Sequence, residues 1–109
     1  MPVELGYLTL PVKNLASAKE FYGALFDWEI EDGGHVANTT IPLGLSPDGP
    51  ADMANVYFRV GDIDEAAARV TRLGGHVRAR NQYPSGPNAV CVDPDGTVFS
   101  LWQPAPGFE

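Results

Sequence analysis

The chain repeats itself. Val12-Lys13-Asn14-Leu15 returns 48 residues later as Val60-Gly61-Asp62-Ile63. At the same offset Leu8, Leu10 and Val12 meet Val56, Phe58 and Val60, Ala18 meets Ala66, and Leu25 meets Leu73. Each copy is about half of a 109-residue chain. A unit that short buries too little apolar surface to stand alone, so two copies must share one fold. The expectation is a single domain over residues 1–109, with unit one at 1–50 and unit two at 51–109. The boundary falls in the turn-rich stretch Ser46-Pro47-Asp48-Gly49-Pro50.

Each copy opens with a strand. Leu8, Leu10 and Val12 alternate with Tyr7, Thr9 and Pro11, and Val56, Phe58 and Val60 alternate with Asn55, Tyr57 and Arg59. That period of two gives each strand one aliphatic or Phe face and one polar-aromatic face. A helix follows. Asn14 and Asp62 are good N-caps, because their side-chain oxygens accept from the unpaired N–H groups of a first turn. Leu15, Ala18, Tyr22, Leu25 and Phe26 fall on one side of the first helix, and Ile63, Ala66, Val70 and Leu73 on one side of the second. Strands are then predicted over 28–31, 35–38 and 41–45, and again over 76–81, 88–92 and 98–103. Asp93-Pro94-Asp95-Gly96 has Pro and Gly where a type I turn takes them. The fold class is therefore α+β with tandem βαβββ units.

Charge and composition narrow the function. The net charge is -7 and the isoelectric point about 4.6, which repels phosphate backbones and argues against a nucleic-acid partner. The acid is concentrated. Residues 1–54 hold two lysines against eight acids, whereas residues 55–109 hold five arginines against six. No apolar run approaches the length of a membrane span. The start Met1-Pro2-Val3-Glu4 lacks a basic and apolar leader, and a single cysteine, Cys91, is ordinary for a reducing compartment; both point to the cytoplasm. Cys91 lies between Val90 and Val92 and reads as a buried apolar residue rather than a nucleophile. His35 and His76, the two histidines, each follow a Gly-Gly pair and are expected at exposed element edges. Glu29 and Glu31 share a face, either a solvated edge or an acidic rim for a cationic ligand.

With these phrases in place the sequence resembles the vicinal oxygen chelate superfamily, the glyoxalase/bleomycin resistance/dioxygenase group. The resemblance rests on Leu10-Pro11-Val12-Lys13-Asn14-Leu15 with Ala18 and Phe21-Tyr22, then on Asp93-Pro94-Asp95-Gly96 with Phe99, Leu101 and Trp102, and on the tandem repeat itself. The resemblance implies that the tandem units form a curved, barrel-like mixed sheet. The fold hosts lyases, epimerases, dioxygenases and drug-binding proteins, so it does not fix a function. Family metalloenzymes take His, Glu or Gln ligands from the opening and closing strands. Those places correspond here to Tyr7, Asn55, Ser100 and the stretch from Leu43 to Leu45, none of which is His or an acid. The resemblance thus implies a metal-free, cofactor-free member.

Strand parity then nominates the ligand-binding residues: Tyr7 and Thr9, Asn55, Tyr57 and Arg59, and Ser100 and Trp102. Such residues can stack a planar ligand and hydrogen-bond it, and Arg59 could take a carboxylate or phenolate. The opposing reading is that the aromatics only fill a small core. The expectation is a small-molecule-binding protein that holds an aromatic or heterocyclic ligand in a concave cup, completed as a homodimer as the family implies. An alternative is a glyoxalase-like lyase or isomerase acting without the usual metal ligands, through Arg59 and a tyrosine. A third is an interaction protein whose pocket has collapsed.

Overall fold

The two helices begin 48 residues apart, as the repeat requires: α1 spans Leu15–Phe26 and α2 spans Ile63–Arg72. The strands before them end at the same offset, β1 at Glu4–Pro11 and β3 at Asn55–Arg59. Between these lies β2 (Leu43–Ser46), and after α2 come β4 (His76–Tyr83), β5 (Gly86–Val92) and β6 (Val98–Trp102). The structure is a computed structural model that describes residues 2–47 and 55–108. Most of the expected boundary turn, from Asp48 to Pro50, lies outside the described residues. The architecture is mixed α+β, with six strands and two helices among those residues. The chain divides into two compact units, a first of Tyr7–Asn55 and a second of Met1–Gly6 with Val56–Glu109.

In the second unit the strand order is β3-β6-β5-β4. β3 runs parallel to β6, and β6, β5 and β4 are antiparallel neighbours. α2 covers one face. Its N-terminus is satisfied three times: Asp62 Oδ1 accepts from Asp64 N and Glu65 N, and Gln103 Oε1 accepts from Ile63 N at 2.9 Å. Ile63 and Ala67 are the buried residues of the helix. Ile63 joins Ala89, Cys91 and Leu101 in a core against which Phe58, Val60, Val70, Val77 and Phe99 pack. Burying a side chain the size of Ile63 contributes about 1.5–3 kcal/mol. Leu73 departs from the expected stripe. It is the C-cap rather than a helical residue, and it is 73% exposed.

In the first unit β1 pairs in parallel with β2, Leu8 opposite Leu43 through Pro11 opposite Ser46. α1 is capped by Asn14, whose Oδ1 accepts from Ser17 N at 3.0 Å, and it stops at Asp27 in the left-handed region. The strands expected over 28–31 and 35–38 shrink to two isolated bridges, Ile30 with Val36 and His35 with Gly44. Asn38 explains part of this. Its amide donates to Asp27 O and accepts from Glu29 N, so it fastens the helix end instead of extending a ladder. With so little sheet beneath it, α1 buries none of its residues. Trp28 stacks on Tyr22 and tilts against Phe26, while Phe21 and Leu25 stay exposed. Glu29 and Glu31 are exposed, which favours the solvated edge over an acidic rim.

Cys91 is fully buried in the second-unit core, and burial pushes its thiol above the ordinary range, with the Arg80 charge opposing. Because the thiolate is the reactive form, the native protein should not react with a disulfide reagent such as DTNB at pH 8, and should release one equivalent of thiol on unfolding. Rapid labelling of the native protein would contradict the packing described.

Candidate functional site

Register sorts the second unit's side chains into two faces. Tyr57 lies opposite Ser100 and Arg59 opposite Trp102. Ser100 lies opposite Val90, and Trp102 opposite Asn88, which in turn lies opposite Asn81. These residues share the face turned away from the α2 core. Tyr57, Arg59, Ser100 and Trp102, four of the nominated residues, therefore lie on one face of two neighbouring strands. Asn55, at the start of β3, belongs to the first unit.

The face is polar and ordered. Ser100 and Asn88 are 3% and 5% exposed, and Asn81 Nδ2 donates to Asn88 Oδ1 at 3.0 Å. Trp102 Nε1 donates to Ser85 O at 3.0 Å, which fixes the indole. A Cβ at Gly6 would sit 2.9 Å from Trp102 Cε3, so glycine there lets the backbone lie against the ring. Arg59 was expected inside a cup. It is exposed instead, with its guanidinium carbon 6.0 Å from the Trp102 ring centre, at the outer limit of a cation–π contact. Being the last residue of β3, it has no further sheet to cover it.

Tyr7 and Thr9 lie on the first unit's β1. Thr9 is opposite Gly44 on β2, and Gly44 is bridged in turn to His35. The Tyr7 hydroxyl is 2.8 Å from His35 Nδ1, and the two rings stack with centroids 5.8 Å apart. Gly44 makes this possible, because a Cβ there would collide with the Tyr7 hydroxyl. The Thr9 hydroxyl is buried and has no hydrogen-bond partner.

His35 is thus half-buried and paired, not at an exposed edge; His76 is exposed, as expected. Sequence reasoning missed His35 because its place depends on a single bridge to Gly44. It also missed Asn88 and Asn81. Asn88 was within reach: the turn at Asp93–Gly96 sets Val92 opposite Val98, and counting back puts Asn88 beside Trp102.

Tyr7, Asn55 and Ser100 offer neutral oxygens and an amide nitrogen, whereas a divalent site is built from imidazoles, carboxylates or thiolates. Among the described residues no group of three His, Cys, Asp or Glu is placed to hold an ion. Two surface clefts of the second unit also bear on the site. One of about 380 Å³ is lined by Glu4, Arg59 and Gln103, and one of about 520 Å³ by Val3, Arg69, Val70 and Leu73. Both reach Arg59, but neither includes Tyr57, Ser100 or Trp102. They lie at the strand ends and along α2, not over the polar face.

A mixed α+β chain built on a repeated βα opening, with its polar residues gathered on strand faces, defines the glyoxalase-like class. Residues 7–102 match the family described as Glyoxalase-like domain, and the chain belongs to that family. It is 29% identical over 116 aligned positions to proteins of Mycobacterium bovis and Mycobacterium tuberculosis that carry the name "Putative glyoxylase CFP32". That match takes in 89% of this chain but 44% of theirs, so the chain spans less than half the length of these relatives. Solved structures share the fold. A hypothetical protein of Bacillus halodurans aligns with a TM-score of 0.74 at 13% identity, covering 96% of each chain. Methylmalonyl-CoA epimerase of Mycobacterium tuberculosis aligns at 0.71 and 19%, over 94% of this chain and 89% of that one. A glyoxalase/bleomycin resistance protein/dioxygenase superfamily member of Vibrio splendidus aligns at 0.63 and 15%, over 95% and 100%. At these identities the structures speak for the fold alone. No helix among the described residues is long and apolar enough to cross a membrane.

Gly44→Ala should expel the Tyr7 hydroxyl from its seat. Overpacking of this kind costs about 1–3 kcal/mol, so the variant should melt several degrees lower. Its His35 ring NMR signals should also shift. A variant with unchanged melting and an unchanged His35 spectrum would contradict the Tyr7–Gly44–His35 arrangement.

Proposed function

We propose that this chain is a small-molecule-binding domain that takes a planar aromatic or heterocyclic ligand without a metal or cofactor. The observation that carries the reading is the strand face of Tyr57, Ser100, Trp102 and Asn88. It is polar and aromatic where the opposite face is an apolar core. Parity alone does not demand buried Ser and Asn beside a pinned indole, and a face that only needed filling would carry aliphatics. The binding residues on this reading are Tyr57, Arg59, Ser100 and Trp102 of the second unit; Tyr7, Thr9 and Asn55 belong to the first unit and are proposed as binding residues there. Trp102 stacks the ligand, Ser100 and the amides hydrogen-bond it, and exposed Arg59 meets an anionic substituent at the rim. The metal-free part rests on the neutral donors at Tyr7, Asn55 and Ser100.

The reading includes a homodimer in the cytoplasm. Phe21 and Leu25 of α1 are 59% and 58% exposed, apolar surface that a second copy would cover. A second reading, a lyase or isomerase of the glyoxalase-like type, draws on the Tyr7–His35 contact, a pair through which a proton can pass. Chemical turnover of a bound ligand would favour it.

Thermal-shift screening against a library of aromatic acids and heterocycles tests the main reading, because a ligand that binds only the native state raises Tm. Hits should stabilise the wild type, and Trp102→Ala should weaken them by about tenfold or more. Arg59→Ala should weaken anionic hits selectively. Hits that are indifferent to both substitutions would place binding elsewhere.

A further inference from the structure

The larger cleft of the second unit lies on the helix side of the sheet, away from the polar strand face. Its volume is about 520 Å³, within the roughly 300–1,000 Å³ of small-molecule sites. Helical spacing brings Ala66, Arg69, Val70 and Leu73 to it along one side of α2. Val60, Ala66 and Val70, half-buried, and Leu101, buried, form its inner lining. Val3 and Leu73 line it as well, yet they are 58% and 73% exposed. Apolar surface gathered around a cleft and left wet marks a place where something apolar is taken up.

Two cations border the same cleft, Arg59 and Arg69. Among the described residues the ion pairs are Lys19 with Asp32 and Arg80 with Asp64, so neither guanidinium has a carboxylate partner. The nearby acids do not supply one. Asp62 turns its Oδ1 to the N–H groups of Asp64 and Glu65. Glu65, one turn before Arg69, makes no ion pair with it, and Glu4, beside Arg59 in the adjoining cleft, makes none either. An arginine lays its stem on apolar surface and keeps its planar fork free for a carboxylate. An apolar wall with an unpaired fork suits a molecule that has a hydrocarbon body and an anionic head.

We propose that the α2 cleft binds an amphipathic carboxylate. Arg69 takes the head group, and Arg59 at the other border adds to the positive potential. The hydrocarbon chain lies on Val60, Val70 and Leu101, with Val3 and Leu73 covering it. This site is on the opposite side of the sheet from the aromatic-ligand face and does not depend on that reading. Arg59 borders both places, so Arg69 carries the test.

The probes are octanoate, 1-octanol and octyltrimethylammonium, which share a chain and differ in the charge of the head. Each is titrated into the full chain at pH 7, where the carboxylate is ionised, and followed by NMR. Octanoate should saturate the site and bind about fivefold tighter than 1-octanol. The backbone amides of Ala66, Val70 and Leu73 should move, and the Asn88 side-chain amide on the opposite face should not. Arg69→Gln should bring octanoate to within about twofold of 1-octanol, with 1-octanol unchanged. Leu73→Ser should weaken both alike, because it removes apolar contact and no charge. Both residues are exposed, so both variants should melt as the wild type does. Equal binding of octanoate and 1-octanol, tighter binding of the ammonium, a preference that survives Arg69→Gln, or shifts at Asn88 in place of α2 would each overturn the proposal. Octanoate that fails to saturate would do the same. The aromatic-ligand reading is tested apart from this, since its hits respond to Trp102→Ala and not to Arg69→Gln.

Discussion

The tight turn after β5 sets which side chains of β5 and β6 face away from the α2 core. Asp93 accepts from Asp95 N and Thr97 N, each at 2.9 Å, while its carbonyl takes Gly96 N at 3.0 Å. That closes the β5–β6 hairpin with Val92 opposite Val98. From there parity dictates the rest. Cys91, Ala89, Phe99 and Leu101 go to the α2 core, and Ser100, Trp102, Val90 and Asn88 go to the other face. A slip of one residue would exchange the two sets, putting Ser and Asn into the core. The hydrogen bonds from Thr97, Asp95 and Gly96 hold the Asp93 carboxyl below its usual range. A depressed carboxylate stabilises the fold above its ordinary range and loses that contribution as pH falls through the lowered value. The turn is therefore set at neutral pH and weakens only in acid.

The second unit follows from this with little left over. An amphipathic helix with a doubly engaged N-cap lies on an aliphatic strand face, and Gln103 reaches from beyond β6 to the helix start. The first unit works differently. Its α1 has no buried residue, its middle strands are single bridges, and side chains such as Asn38 do the fastening. The acidity has the same geography. The excess charge lies in residues 1–54, on exposed positions such as Glu29 and Glu31, with Asp32 paired to Lys19 at 3.3 Å. It reads as solvation of a thinly covered unit rather than as attraction for a cation.

Much of the fold was legible in the sequence, and the reason is local. Asn14 and Asp62 announce their helices, the 3.6-residue period marks α2, and Pro94 with Gly96 marks the hairpin. Strand alternation also put Tyr57, Arg59, Ser100 and Trp102 on one face. What it did not show depends on distant contacts. His35 is placed by a bridge to Gly44 and a hydrogen bond across 28 residues of chain. Arg59 is exposed because β3 ends there, which alternation does not report. The exposure of Phe21, Leu25 and Leu73 likewise depends on how much sheet lies beneath each helix. The periodicity of a sequence marks an apolar side without saying what covers it.

The proposed reading is of ligand binding without a metal ion, because Tyr7, Asn55 and Ser100 are neutral residues. Elemental analysis of protein purified without chelators tests that most directly. The account predicts well under one equivalent of zinc, nickel, manganese or iron per chain, and no gain in Tm when these ions are added. A tightly held stoichiometric ion, lost together with stability when Tyr7 or His35 is replaced, would contradict it.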